Sequence, residues 1–283
     1  MLIMSRTLTP LYNSQLETIF QGRPDCGRAS KGLAQMSDYN SDFARQVPAD
    51  RADMSVDVGL RSFMLGVYNK VALGLLLSAA LAFLTSSFQP ISSLLYTVSN
   101  GRVGYTVWGM VIAFAPLAVM MFGMFGMRNA TPKTAGIFYW TIVSLIGASL
   151  GVVVLRYTGE SIASTFLLTA TAFGALSLFG YTTKKDMTAF GSFLIMGMWG
   201  LFGASLINLF LGSSMMSLII NALGVFIFAG LIAFDTQRLK MQYYELGGDQ
   251  AAMGVATNFG ALSLYLNFIN LFQFLLAFLG DRR

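Results

Sequence analysis

The chain has 283 residues, of which 55% are hydrophobic and 11% charged, and its formal net charge is +5. A soluble globule of this length needs about 25% charged residues to solvate its surface, so the composition excludes one and points to a bilayer. The basic residues stand singly between apolar runs instead of massing with aromatics on one face, which argues against a nucleic-acid partner and makes the lipid bilayer the partner to expect.

Residues 1–57 are polar and rich in charge, and read as a cytoplasmic tail preceding a membrane domain over residues 58–283. No apolar segment between a basic start and a small-residue cleavage site occurs in the tail, so it does not read as a signal peptide. Met36 opens the stretch MSDYNSDFAR and is a second candidate start beside Met1; residues 1–35 are expected to be a translation-start artefact or a disordered extension. Cys26 is the single cysteine and there is no histidine, which removes an intrachain disulfide and a cysteine metal cage.

A membrane-crossing helix needs about 20 mostly apolar residues. Six segments meet that length, running roughly from Phe63 to Thr85, Tyr105 to Met127, Thr134 to Leu155, Ser161 to Thr182, Thr188 to Leu211 and Met216 to Phe234. A seventh uncharged stretch, Gln250 to Gly280, exceeds a simple span and reads as a crossing helix, with a re-entrant turn as the alternative. The fold class is all-α, an integral membrane bundle of about seven helices. If the first six spans alternate, Arg61, Arg128, Lys133, Lys184, Lys185, Arg238 and Lys240 fall on one side and Arg102 and Arg156 on the other. Basic residues mark the cytoplasmic side, so the amino terminus is expected there; Arg282 and Arg283 would then be external.

Pro116 is expected to kink the second span. Gly147 with Gly151, and Gly200 with Ala204, form small-xxx-small pairs that let helices approach. Trp108, Tyr139 and Trp140 near span ends read as interfacial anchors. The segment Gly147-Ala148-Ser149-Leu150-Gly151 matches a nucleophile elbow, but it lies in an apolar span with no histidine to activate the serine, so packing accounts for it better. With no phosphate-binding glycine loop either, an enzyme is not expected.

Asp235 is the acidic residue that abuts an apolar span without a break. Acids within a bilayer cost about 2.5 to 3.5 kcal/mol on insertion scales and usually face a bundle interior. Counted along the sixth span, Asp235 lies toward its cytoplasmic end. Arg238, three residues on, and Lys70 in the first span are its candidate partners, although Lys70 could instead snorkel to the surface. Asn267 and Asn270 share one face of the last stretch, where interhelical hydrogen bonding is the plain structural role.

The segments Ala233-Phe234-Asp235-Thr236-Gln237-Arg238-Leu239-Lys240 and Ala261-Leu262-Ser263-Leu264-Tyr265-Leu266-Asn267-Phe268-Ile269-Asn270-Leu271-Phe272, with Val67-Tyr68 in the first span, resemble the Bax inhibitor-1 family, especially its bacterial members, over roughly residues 60–280. That resemblance implies seven helices with the last one central, wrapped by the other six, and a pH-sensitive calcium leak in the cell inner membrane. It implies no resident cofactor, Ca2+ being the permeant ion. The alternative implied by some relatives is a non-conducting protein that modulates a membrane protease or stress-response partner, with the tail from Met36 to Asp57 as the contact. In the leak mechanism of the family, two aspartates share protons. Asp235 matches the first, while the second falls on Asn267, where many relatives have aspartate. Two adjacent carboxylates cannot easily both ionise, so losing one predicts a weaker or acid-shifted pH response. A transient Ca2+ would meet Asp235, the amides of Asn267 and Asn270, and Thr236.

Overall fold

The computed structural model describes residues 57–99, 102–127 and 130–282. The expectations for the tail, including Met1, Met36 and Cys26, lie outside the described residues, as do those for Arg128 and Arg283.

Residues 58–282 build an α-helical bundle. Helix α1 (Val58–Ser87) is followed by the short α2 (Gln89–Leu95) and an antiparallel hairpin of β1 (Tyr96–Ser99) and β2 (Arg102–Tyr105), in which Tyr96 pairs with Tyr105. Then come α3 (Val107–Gly126), α4 (Pro132–Ser149), α5 (Gly151–Arg156), α6 (Gly159–Thr182), α7 (Thr188–Leu211), α8 (Ser214–Glu245) and α9 (Gln250–Leu279). Six of the helical stretches are long and apolar enough to cross a membrane, α4 and α5 together forming one of them, and α3 adds a shorter apolar helix.

The sequence places the start of the second span at Tyr105, but Tyr105 belongs to β2. Its hydroxyl donates to the Ser149 carbonyl at 3.1 Å, so the hairpin is tied to the end of α4 and the helix begins only at Val107, behind the Thr106 cap. Helix α3 runs through Pro116 without interruption. The third expected span divides at Leu150 into α4 and α5.

Helix α9 is a single uninterrupted helix of 30 residues, roughly 44 Å long at 1.5 Å per residue. It starts beside the end of α8, and Tyr157 and Arg282 form a β-bridge that fixes its far end against the junction of α5 and α6. The last stretch therefore traverses the bundle and does not turn back. It packs on α1, α4, α6 and α8. The expectation that six helices wrap it is corrected to these four principal neighbours: α3 packs mainly on α4, and α7 mainly on α8. Leu264, Tyr265, Phe268, Leu271 and Leu276 of α9 are buried, whereas Phe193, Trp199, Phe202 and Phe210 of α7 are exposed on a face that composition assigns to lipid.

Close helix approach depends on small residues. A Cβ on Gly147 would lie 2.7 Å from the Ser78 Cα of α1, and one on Gly151 2.4 Å from Thr85 Oγ1, so this pair packs as expected. Gly200 has open space around it, so the second small-xxx-small pair makes no such contact. Tyr139 is a correction too: it is fully buried, and its hydroxyl donates to the Lys70 carbonyl at 2.7 Å, so it is a core residue and not an interfacial anchor. Trp108 is exposed at the start of α3.

The tightest approach relevant to the site is that of α6 to α8, where a Cβ on Gly180 would stand 2.2 Å from the Ala233 carbonyl oxygen. Gly180→Ala is expected to destabilise the bundle by about 1–3 kcal/mol through overpacking. Gly174→Ala on the same helix, where nothing lies within 4 Å, is expected to be neutral or to stabilise by up to about 1 kcal/mol through helix propensity. Thermal unfolding of the two variants in detergent, followed by intrinsic fluorescence, checks the contrast.

Candidate functional site

The loops at one end of the bundle, including residues 130–131, 183–187 and 246–249, adjoin Arg61, Lys133, Lys184 and Lys185; the opposite end carries the hairpin, Arg156 and Arg282. Helix α8 continues unbroken for ten residues beyond Asp235, so the carboxylate lies about 15 Å inside the end of the helix. The polar residues after Asp235 remain helical and largely buried.

Asp235 is 8% exposed. Its Oδ2 accepts a hydrogen bond from the Asn267 Nδ2 at 2.7 Å and another from the Ser263 hydroxyl, both on α9. Ser263 and Asn267 are four residues apart and therefore share a helix face. The two donors satisfy a carboxylate that would otherwise be costly to bury. The expected cationic partners are not its hydrogen-bonding partners. Arg238 is exposed and acts on Asp235 only through space, and the Lys70 amine donates to the side-chain Oδ1 of Asn258 on α9.

The remaining candidates also have defined places. Thr236 is fully buried and its hydroxyl donates to the Ile232 carbonyl at 2.8 Å; the Tyr68 hydroxyl stands beside Thr236 and Ser177. The Asn270 amide nitrogen bonds the Leu266 carbonyl of its own helix at 2.8 Å, so the interhelical bond expected of the pair is made by Asn267 alone. Asp235 and Asn267 thus come together, while Lys70, Arg238, Thr236 and Asn270 do not bond to them.

Several polar residues that sequence reasoning misses complete this layer. Asn258 donates to the Pro132 carbonyl at 3.2 Å and the Gly254 carbonyl at 2.8 Å, linking α9 to the start of α4. Ser78 and Tyr265 hydrogen-bond at 2.6 Å between α1 and α9. Gln237 clamps the loop between α6 and α7 from both sides of its amide, donating to the Lys185 carbonyl at 2.7 Å and accepting from the Met187 N–H at 2.9 Å. Lys240, 3% exposed, donates to the Tyr181 carbonyl at 2.9 Å and caps the end of α6. Spacing offers a signal for Ser263, one helical turn before Asn267, but none for the loop that Gln237 and Lys240 hold. In that loop Thr188 hydrogen-bonds Asp186 through its hydroxyl and its N–H, and together these hold the exposed Asp186 carboxyl below its ordinary range. At the opposite end, burial pushes the Tyr105 phenol up to about 12.

Toward the hairpin end, Asp235 is followed by apolar packing. Leu194, Ile227, Phe228, Leu231, Ile232 and Leu271 form one buried cluster, and the Phe228 and Phe274 rings stack at 5.6 Å. Among the described residues, no group of three or more His, Cys, Asp or Glu side chains is placed to hold a metal ion. The donor set around Asp235 is one carboxylate with neutral amide and hydroxyl groups.

Fold and site define a multi-pass α-helical membrane protein whose central pair of helices shares a buried carboxylate–amide bond. Residues 60–283 match the family described as inhibitor of apoptosis-promoting Bax1, and the chain belongs to this Bax inhibitor-1 family. A protein of Caulobacter vibrioides is 67% identical over 249 residues, covering 88% of this chain and all of that one. The Rickettsia prowazekii protein RP147 is 42% identical over 242 residues, covering 86% and 99% of the two chains. Inner membrane protein YbhL of Escherichia coli K12 is 38% identical over 226 residues, covering 80% and 94%.

Gln237→Ala removes the acceptor of the Met187 N–H and leaves that buried amide unpaired, at an expected cost of about 1–3 kcal/mol. Hydrogen exchange across residues 183–190 should accelerate in this variant, with exchange at the α1–α4 contact unchanged; mass spectrometry of the detergent-solubilised protein reads both regions.

Proposed function

We propose that the protein is a pH-sensitive cation leak of the inner membrane, with calcium as the permeant ion and Asp235 as its controlling carboxylate. The observation supporting this reading is the burial of Asp235 between α8 and α9 with only neutral hydrogen-bond donors on it. Ca2+ held in place takes six to eight oxygen ligands with several carboxylates among them. One carboxylate with amide and hydroxyl oxygens would hold it weakly, which suits passage better than storage. The apolar packing beyond Asp235 is of the kind that closes a pathway by dewetting until helices part. The excess of lysine and arginine at the end carrying Arg61, Lys133, Lys184 and Lys185 supports a cytoplasmic side there and a cytoplasmic amino terminus.

The pH dependence of this reading follows from Asn267. A neutral amide beside Asp235 leaves one carboxylate titrating alone, so flux follows a single-proton curve. An aspartate at 267 would make a coupled pair that loses its protons in two separated steps.

Calcium flux into liposomes holding purified protein, measured between about pH 5 and 8, tests both points. Asp235→Asn is expected to change flux on the order of tenfold, equivalent to about 1.4 kcal/mol, and to flatten its pH profile. Asn267→Asp is expected to broaden the profile beyond one proton. Flux absent from folded wild-type protein would overturn the leak in favour of a non-conducting protein that binds and moderates a membrane protease or stress-response partner.

A further inference from the structure

At the hairpin end a cavity of about 1030 Å³ opens between β2, α5, the turn joining α7 to α8, and the end of α9. Arg156 and Arg282 line it, together with the polar side chains of Asn208, Ser213, Ser217 and Asn221. Glu160 and Asp281, the acids of this end, are not among its lining residues. The first turn of α8 also borders the cavity: Ser213 caps the helix by accepting from the Met216 N–H, while Ser214 and Ser217 face the space. The positive end of a helix 32 residues long therefore borders the same cavity as Arg156 and Arg282. The apolar part of the wall is Leu155, Leu218 and Phe278, the last of these half exposed at the level where α9 ends.

We propose that this cavity binds the phosphate of an anionic phospholipid headgroup. Two arginines lining one cavity supply charge-assisted guanidinium donors for phosphate oxygens. Serine hydroxyls and asparagine amides supply neutral donors for a glycerol or a second oxygen. A free phosphate would use the same donors but would leave Leu155, Leu218 and Phe278 uncovered, whereas the first carbons of acyl chains cover them. The cavity also lies at the end of the membrane-crossing helices, where headgroups reside. Arg156 keeps its position independently of any ligand, because its Nη2 donates to the Val103 carbonyl at 2.7 Å. This inference does not depend on ion flux.

Native mass spectrometry of the purified full chain with added phosphatidylglycerol or phosphatidylcholine tests it. Wild type is expected to retain phosphatidylglycerol at least about tenfold more tightly than phosphatidylcholine, and Arg156→Gln with Arg282→Gln is expected to abolish the preference. Arg282→Gln alone, which preserves the backbone bridge to Tyr157, guards against misfolding and is expected to lose most of it. Arg61→Gln with Lys133→Gln at the opposite end should leave the preference intact. Equal retention of the two lipids by wild type, or a preference that survives the double substitution, overturns the proposal. So does protection by inorganic phosphate without any lipid preference, which would make the cavity a site for a free anion.

Discussion

Burying a carboxylate among apolar helices requires donors at fixed positions, and the register of α8 against α9 follows from that requirement. Asp235 finds both of its donors on α9, one helical turn apart, so sliding either helix by a turn would leave the carboxylate with at most one of them in a low-dielectric interior. Apolar packing alone would not impose this register, since leucine and phenylalanine faces tolerate sliding more readily than a hydrogen-bonded pair does. Once the two helices are set, α1 and α4 are tied to α9 through Tyr265 with Ser78 and through Asn258 with Lys70 and Pro132. Helix α6 is drawn against α8 by the absence of a side chain at Gly180.

The membrane helices are legible because an uncharged apolar run of crossing length is stable in a bilayer and hardly anywhere else. What the sequence obscures is the detail at their ends. Tyr105 reads as the start of a helix because it precedes an apolar run, yet cross-strand pairing with Tyr96 claims it, and pairing is a non-local event that hydropathy does not register. Tyr139 misleads for a related reason: its place about two turns into α4 says nothing of Lys70 on α1, whose carbonyl satisfies its hydroxyl. Helix α8 runs past the apolar end of the sixth span, and Gln237 and Lys240 remain buried by satisfying carbonyls of the end of α6 and the loop after it.

At the site, periodicity tells which residues share a face and composition tells which acid is unusual, which brings Asp235 and Asn267 forward together. The choice among bonding partners is another matter. Lys70 and Arg238 are attractive on charge, but position on a helix does not reveal which neighbouring residue occupies the intervening space. Asn258 stands where it takes the Lys70 amine, and Arg238 points out of the bundle. Ser263 is within reach of the same periodic argument that selects Asn267, and it escapes notice because serine in a membrane helix commonly bonds its own backbone.

Asp235 and Gln237 are two positions apart on one rigid helix, and Gln237 grips a loop whose Lys184, Lys185 and Asp186 side chains are exposed to the surroundings. Axial rotation of α8 therefore cannot remain private to the interior: the same turn that would reorient the carboxylate pulls on the loop backbone at Lys185 and Met187. The loop is in this sense a dial on the outside of the protein, geared to a buried carboxylate.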